Sequence, residues 1–253
     1  MNARSPQVRI RFYEELNFFL SEDRRKQELT VAFQRGDTVK ALIESLGIPH
    51  PEVDLILAEG KPVSFAYRLR DGDRISVYPV FESLDISPVN RLRAWPLRRT
   101  RFVLDVHLGR LATCLRLLGF DSLYANSYDD DALAAISTSQ GRILLTRDRG
   151  LLKRRIVTHG YCLRSQILQE QALEVLKRFD LGGQIRPFSI CLRCNLPLRR
   201  IAKERISGRL PPGVAARYDR FSICPSCRRI YWRGSHWEHL SRRVAELACR
   251  PTP

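Results

Sequence analysis

Two short cysteine pairs constrain this chain more than any other feature. "CLRC" places Cys191 and Cys194 three apart, and "CPSC" places Cys224 and Cys227 three apart. Each pair follows the same apolar tripeptide, "FSI", so each reads as a strand leading into a metal knuckle. Four thiolates at this double spacing suit a structural, tetrahedral Zn2+, and a closed site of that kind holds a fold rather than catalyses. The 29 intervening residues exceed what a compact ribbon needs, so a loop is expected around "ISGRLPPGVAARYD". A redox CxxC is the competing reading, and two matched pairs speak against it. Cys114, Cys162 and Cys249 read as core or surface residues. Seven cysteines, four of them paired in this way, point to metal in a reducing compartment rather than to disulfides. "MNARSPQVRIRFYEEL" has no apolar core of a signal peptide, and no run approaches the ~20 apolar residues of a membrane span. A cytoplasmic location without membrane association is expected.

Charge divides the chain. Residues 1–88 carry 12 Lys and Arg against 14 Asp and Glu, whereas residues 89–253 carry 31 against 13. A polyanion is the usual partner of such a basic part, because each neutralised phosphate releases condensed counterions. RNA, as tRNA or on the ribosome, is the expected class. Solubility, or a general preference for arginine (37 of the 43 basic residues), is the alternative reading.

The first 80 residues follow an α+β pattern. "QVRIRF" alternates polar and apolar as a half-buried strand does, and "QELTVAF" is a second strand. Asp37 or Thr38 can cap a helix in which Val39, Leu42, Ile43 and Leu46 form one face, ending at Gly47. "VDLILAEGKPV" and "RLRDGDRISVYPV" supply further strands. This order resembles the ubiquitin-like β-grasp, and within it the sulfur-carrier branch that includes ThiS and MoaD. A sulfur carrier needs a free C-terminal Gly-Gly. Here the last strand runs on into "FESLDISPVNRLR", so a docking module with a protein partner is expected instead.

"SPVNRLRAWPLRRTR" then carries two prolines, five arginines and no acid, and reads as a basic linker. Beyond it strands and helices alternate: "RFVLD", the helix "VHLGRLATCLRLLGF", "SLYA", the helix "DDDALAAIST", "RILLT", the short basic "GLLKRR", "YCL", and the helix "SQILQEQALEVLKRF". Such alternation implies βαβ units and a mostly parallel sheet. In open parallel sheets ligands bind beyond the carboxyl ends of the strands. Two strands end there in aspartate, Asp105 and Asp148, and Asp129–Asp131 open the intervening helix. Carboxylates gathered at such an edge repel one another unless a cation sits between them, and Mg2+ or Mn2+ prefers oxygen ligands. Arg147, Arg149, Lys153, Arg154 and Arg155 would then face substrate phosphates. The competing readings are that Asp129–Asp131 complement a helix dipole and that Asp121 is a turn residue.

Across 101–155, "RFVLDVHLGRLATCLRLLGFDSLYANSYDDDALAAISTSQGRILLTRDRGLLKRR" is similar to the Mut-seven-C family, a PIN-like ribonuclease domain. The resemblance matches the family's first acid to Asp105 in "LDVHLGRLA", its "GFD" to Gly119–Asp121, and its "LLTRD" to Leu144–Asp148. It puts the middle acid within "YDDDAL", where Asp130 is chosen, with Asp129 and Asp131 as neighbours. Such domains are metal-dependent nucleases that cut single-stranded RNA with three or four clustered acids. Many carry a further aspartate after this strand, whereas the next acid here is Glu170, inside a helix. The family also carries a β-grasp domain in front and a zinc ribbon behind.

The expected organisation is therefore a ubiquitin-like β-grasp domain (1–86), a basic linker (87–100), an α/β PIN-like domain (101–183), and a four-cysteine zinc ribbon with a basic tail (184–253). The expected activity is metal-dependent hydrolysis of RNA phosphodiesters. Asp105, Asp130 and Asp148 would hold Mg2+ or Mn2+, and Arg110, Arg147, Arg149, Lys153 and Arg154 would hold phosphates. In the tail, Tyr231, Trp232 and Trp237 interleave with Arg228, Arg229 and Arg233, a mixture that stacks bases or forms a small core. The alternative function is a non-catalytic RNA- or ribosome-binding protein on the same fold.

Overall fold

A computed structural model describes residues 5–79, 92 and 100–234. The basic linker, apart from Leu92 and Thr100, lies outside those residues. So does the tail beyond Gly234, with His236, Trp237, His239 and Cys249.

The chain divides into two compact units, and each is built from separated stretches. One comprises Met1–Arg99 with Asp129–Leu163, and the other Thr100–Tyr128 with Arg164–Pro253.

The first unit begins with β1 (Gln7–Phe12), which pairs antiparallel with β2 (Glu28–Ala32). Val8, Ile10 and Phe12 alternate inward along β1, the period-two burial that its sequence predicts. Thr38 caps α1 (Val39–Ser45), its hydroxyl accepting from the Ala41 N–H, and Val39, Leu42 and Ile43 are buried. β3 (Val53–Ala58), β4 (Lys61–Pro62) and β5 (Arg74–Pro79) complete a five-stranded sheet in the order β2-β1-β5-β3-β4. The β1–β5 pair is parallel and the other three are antiparallel. One helix and a mixed sheet with the first and last strands side by side is the ubiquitin-like β-grasp arrangement.

β6 (Phe102–Leu104), α2 (Gly109–Leu118) and β7 (Ser122–Leu123) form a βαβ turn in the second unit, with β6 and β7 parallel. In the first unit, α3 (Asp130–Gln140) leads to β8 (Ile143–Thr146), the short α4 (Arg149–Leu152) and β9 (Gly160–Cys162), with β8 and β9 parallel. All of β6, β8 and β9 are buried, as strands of a covered parallel sheet are. The α/β character and the mostly parallel sheet are as the alternation predicts.

The second unit continues with α5 (Leu168–Arg178), whose Ala172, Val175 and Leu176 are buried and whose neighbour Phe179 meets Phe102 edge-on at 5.6 Å. β10 (Arg199–Ile201), the one-turn α6 (Val214–Arg217), β11 (Phe221–Ile223) and β12 (Ile230–Trp232) follow. β10, β11 and β12 make an antiparallel three-stranded sheet. The second "FSI" is β11, as expected. The first is not a strand: only Ile190 forms a bridge, to Pro197, because the chain there turns back within the knuckle. Among the described residues, no helix is long and apolar enough to cross a membrane.

Candidate functional site

Asp148 sits where an apolar strand has just ended. Its N–H donates to Thr146 Oγ1 at 2.9 Å, and its own Oδ1 accepts from the Gly150 N–H at 2.6 Å. The carboxylate thus caps α4, whose Leu151 and Leu152 are buried. The cap uses Oδ1 alone, and Asp148 is exposed.

The three aspartates at the start of α3 are not equivalent. Asp129 is the cap, accepting from the Ala132 N–H at 2.8 Å. Asp131 pairs with Arg154. That hydrogen bond, with the charges of Asp130 and Asp129 behind it, raises the Arg154 pKa above its ordinary value. Asp130 is exposed in the first helical turn, and its side chain makes no hydrogen bond among the described residues.

In the other unit, Asp105 follows β6 and opens a 3-10 turn, Val106–Leu108, its carbonyl accepting from the Leu108 N–H at 2.9 Å. It is 8% exposed, a buried carboxylate in contrast to Asp148. Asp121 serves the cysteine-cluster region: it accepts from Asn195 Nδ2, while Asn195 Oδ1 accepts from the Ser122 N–H at 2.8 Å.

The predicted cations also have definite places. Arg110 and Arg147 are exposed, and their side chains make no hydrogen bond or ion pair among the described residues. Arg149 lies over the rings of Phe18 and Phe19, 5.5 and 5.0 Å from their centroids, and Lys153 Nζ donates to the Glu44 carbonyl at 2.7 Å. Arg154 is the partner of Asp131.

The cysteines converge. The sulfur atoms of Cys191, Cys194, Cys224 and Cys227 all lie within 4.8 Å of one another, the one such group of metal-ligating side chains among the described residues. Cys191 and Cys227 are 3.7 Å apart. Four thiolates at ~2.3 Å around a tetrahedral Zn2+ would stand about 3.8 Å from each other, so the donor set fits. The two pairs share one backbone design. The Asn195 N–H donates to the Cys191 carbonyl at 3.0 Å, and the Arg228 N–H to the Cys224 carbonyl at 3.1 Å. Asn195 and Arg228 both have left-handed φ, +58° and +59°. The Cys194 N–H reaches Cys191 Sγ at 3.4 Å, and the Tyr231 hydroxyl lies 3.2 Å from the same sulfur. Burial pushes the Cys191 thiol up, but the Tyr231 hydroxyl and the backbone N–H groups of Cys194 and Arg193 outweigh it and bring it down to about 6. Burial, with Cys191 beside it, raises Tyr231.

One residue that patterning overlooks ties this region to the βαβ turn. Arg116 reads as the polar side of α2, yet it is 6% exposed. Its Nε donates to the Ser122 carbonyl at 2.9 Å, and its Nη1 to the carbonyls of Leu192 and Arg193 at 2.9 and 3.3 Å. Burial lowers its pKa, and the nearby Cys191 and Asp121 oppose that. An arginine within "LRLL" carries no signal that would mark it as a pin for the knuckle.

A β-grasp sheet, parallel βαβ elements whose strands run into aspartates, and a four-cysteine knuckle pair define a composite α/β protein with a C-terminal cysteine cluster able to hold a metal ion. The Mut7-C RNAse domain model matches residues 100–244 and the Mut7-C ubiquitin model matches residues 5–85, so the chain belongs to the Mut7-C RNase domain family. It is 38% identical over 106 residues, 40% of its length, to the human exonuclease mut-7 homolog, and that match spans 12% of the human protein. A solved structure, a putative molybdopterin converting factor subunit 1 from Pyrococcus furiosus, is similar at 21% identity with a TM-score of 0.24. It covers 30% of this chain and 98% of its own.

Proposed function

We propose that this protein is a divalent-metal-dependent ribonuclease that hydrolyses phosphodiester bonds in single-stranded or structured RNA. The observation that carries the proposal is the RNase-domain match over 100–244, within which Asp105 directly follows one apolar strand and Asp148 stands two residues beyond the end of another. Asp105, Asp130 and Asp148 are the side chains that hold Mg2+ or Mn2+ in this reading, and carboxylate oxygens are the donors such ions prefer. Of the three aspartates at the head of α3, Asp129 is committed to a cap and Asp131 to Arg154, which supports Asp130. Bound there, the ion supplies an activated water and stabilises charge developing on the phosphodiester. Arg110, Arg147, Arg149, Lys153 and Arg154 hold substrate phosphates in this reading, and Arg110 and Arg147 are exposed with side chains not otherwise engaged among the described residues. Cys191, Cys194, Cys224 and Cys227 hold a structural Zn2+. RNA, as tRNA or on the ribosome, is the partner, a protein partner of the β-grasp domain is proposed with it, and CxxC usage supports a cytoplasmic setting.

A second reading, RNA binding without turnover, draws on the acids beyond β9. Glu170 accepts from the Ser165 hydroxyl, and Glu174 accepts from the Arg164 and Ser165 N–H groups at 2.9 Å, so both are spent on the entry to α5.

The test is to incubate the protein and its Asp148→Asn variant with single-stranded RNA, with and without Mn2+. Cleavage that requires the metal and falls about 100-fold or more in the variant is expected. Equal, metal-insensitive breakdown by both, or none by either, would sink the nuclease reading, and persistent RNA binding would then favour the second.

A further inference from the structure

The β-grasp sheet and the segment 129–163 belong to one compact unit, and side chains of the first meet the second at Arg149, Lys153, Val157 and Cys162. Directly after Asp148, the Arg149 guanidinium lies over Phe18 and Phe19, and its Nη1 donates to the Phe19 carbonyl at 3.5 Å. Phe18 and Phe19 meet edge-on, ring centroids 5.5 Å apart, which presents both to one cation. At the far end of α4, Lys153 Nζ donates to the Glu44 carbonyl at 2.7 Å. His50, 5% exposed, has Nδ1 2.7 Å from Glu44 Oε1 and donates from Nε2 to the Val157 carbonyl at 2.7 Å.

The deepest contact is at the next strand. Just past the end of β9 the Leu163 N–H donates to the Thr146 carbonyl of β8, at 2.8 Å, so the Cys162 N–H points the other way. It donates to Glu52 Oε1. Glu52 is 2% exposed. A carboxylate buried that completely is costly unless its hydrogen bonds are made, and an outward N–H of a buried strand is costly for the same reason. Each offsets the other.

We infer that the β-grasp domain works in cis as a clamp, with Phe18, Phe19, Glu44, His50 and Glu52 as positioning residues for the β8–α4 turn bearing Asp148. Phe18 and Phe19 hold the residue after Asp148, Glu44 holds the end of α4, and Glu52 holds the strand paired with Thr146. Arg149 and Lys153 thereby do structural work, whether or not phosphates also pass near them. The catalytic consequence rests on the nuclease reading, whereas the clamp itself does not.

Amide hydrogen exchange on the full chain, followed by cleavage kinetics, tests this. Phe18 is 37% exposed and outside the β-grasp core, so Phe18→Ala leaves the sheet intact. Glu52→Ala removes the acceptor for Cys162, Glu52→Gln keeps one, and Arg74→Ala is a surface control whose partner is Glu28. Protection of residues 148–152 and of the Cys162 amide is expected to fall about tenfold or more in Glu52→Ala and a few-fold in Phe18→Ala. It should be retained in large part in Glu52→Gln and unchanged in Arg74→Ala, with residues 8–12 of β1 protected throughout. Unchanged protection of 148–162 in both clamp variants overturns the clamp. In kinetics, Phe18→Ala should lower kcat with KM for RNA unaltered, and a raised KM at full kcat would overturn the positioning role. Absence of cleavage by the unmodified protein would remove the nuclease reading and the kinetic arm, and the exchange arm would still decide the clamp.

Discussion

Gly119 shows how closely a single backbone position is held. It ends α2 with φ +95°, and a Cβ there would stand 2.2 Å from the Arg186 carbonyl oxygen. The chain passes that close because the Arg186 and Phe188 N–H groups donate to the carbonyls of Leu118 and Leu117, at 2.9 and 3.0 Å. The last carbonyls of the helix are thus satisfied by a distant stretch of backbone. Gly119→Ala adds left-handed strain to a backbone clash, and a loss of at least about 2 kcal/mol in urea denaturation is expected. "LLGF" reads as a helix stop from sequence, but nothing in it announces the second chain segment against the glycine. The same holds for Asp148. Its position after an apolar strand is legible, while its use of one carboxylate oxygen as the α4 cap appears only once Gly150 folds back over it.

Among the elements, the knuckle pair follows most directly from its own residues. Two CxxC turns with matched carbonyl acceptors and matched left-handed residues bring four sulfurs together, and Arg116, Asp121 and Asn195 tie the first turn to α2 and β7. Metal analysis should find one Zn2+ per chain. Chelation, or Cys224→Ser, should lower the thermal midpoint and loosen β10–β12 first, read by amide exchange, because this short sheet has little core besides Phe221, Ile223 and Ile206. No bound zinc, or an unaltered midpoint after chelation, would exclude the structural role. The first "FSI" shows the limit of reading elements from tripeptides. It has the composition of β11, but its neighbours turn back within a few residues, and a strand needs a partner as well as a pattern.

Taken whole, the molecule sets a nearly neutral β-grasp part before a strongly basic remainder, 31 basic residues against 13 acidic in 89–253. RNA binding should therefore weaken steeply with salt, log K falling linearly with log salt at a slope of roughly −0.7 per phosphate neutralised on a single strand. A fluorescence titration from about 50 to about 300 mM KCl checks this, and a flat profile would reject phosphate contact as the main source of affinity. The residues themselves determined the β-grasp strands and helix, the βαβ alternation, the strand-end aspartates and the cysteine pairs, because alternation, capping and ligand spacing are local properties of the chain. Only the tertiary structure decided that 129–163 packs with the β-grasp sheet, that Arg149 and Lys153 are held there, and that Glu52 and Arg116 are buried on backbone groups far away in sequence. The physical reason is that a buried charge is tolerated only where folding delivers its partners, and those partners, 110 residues away for Glu52 and 76 for Arg116, leave no periodic trace.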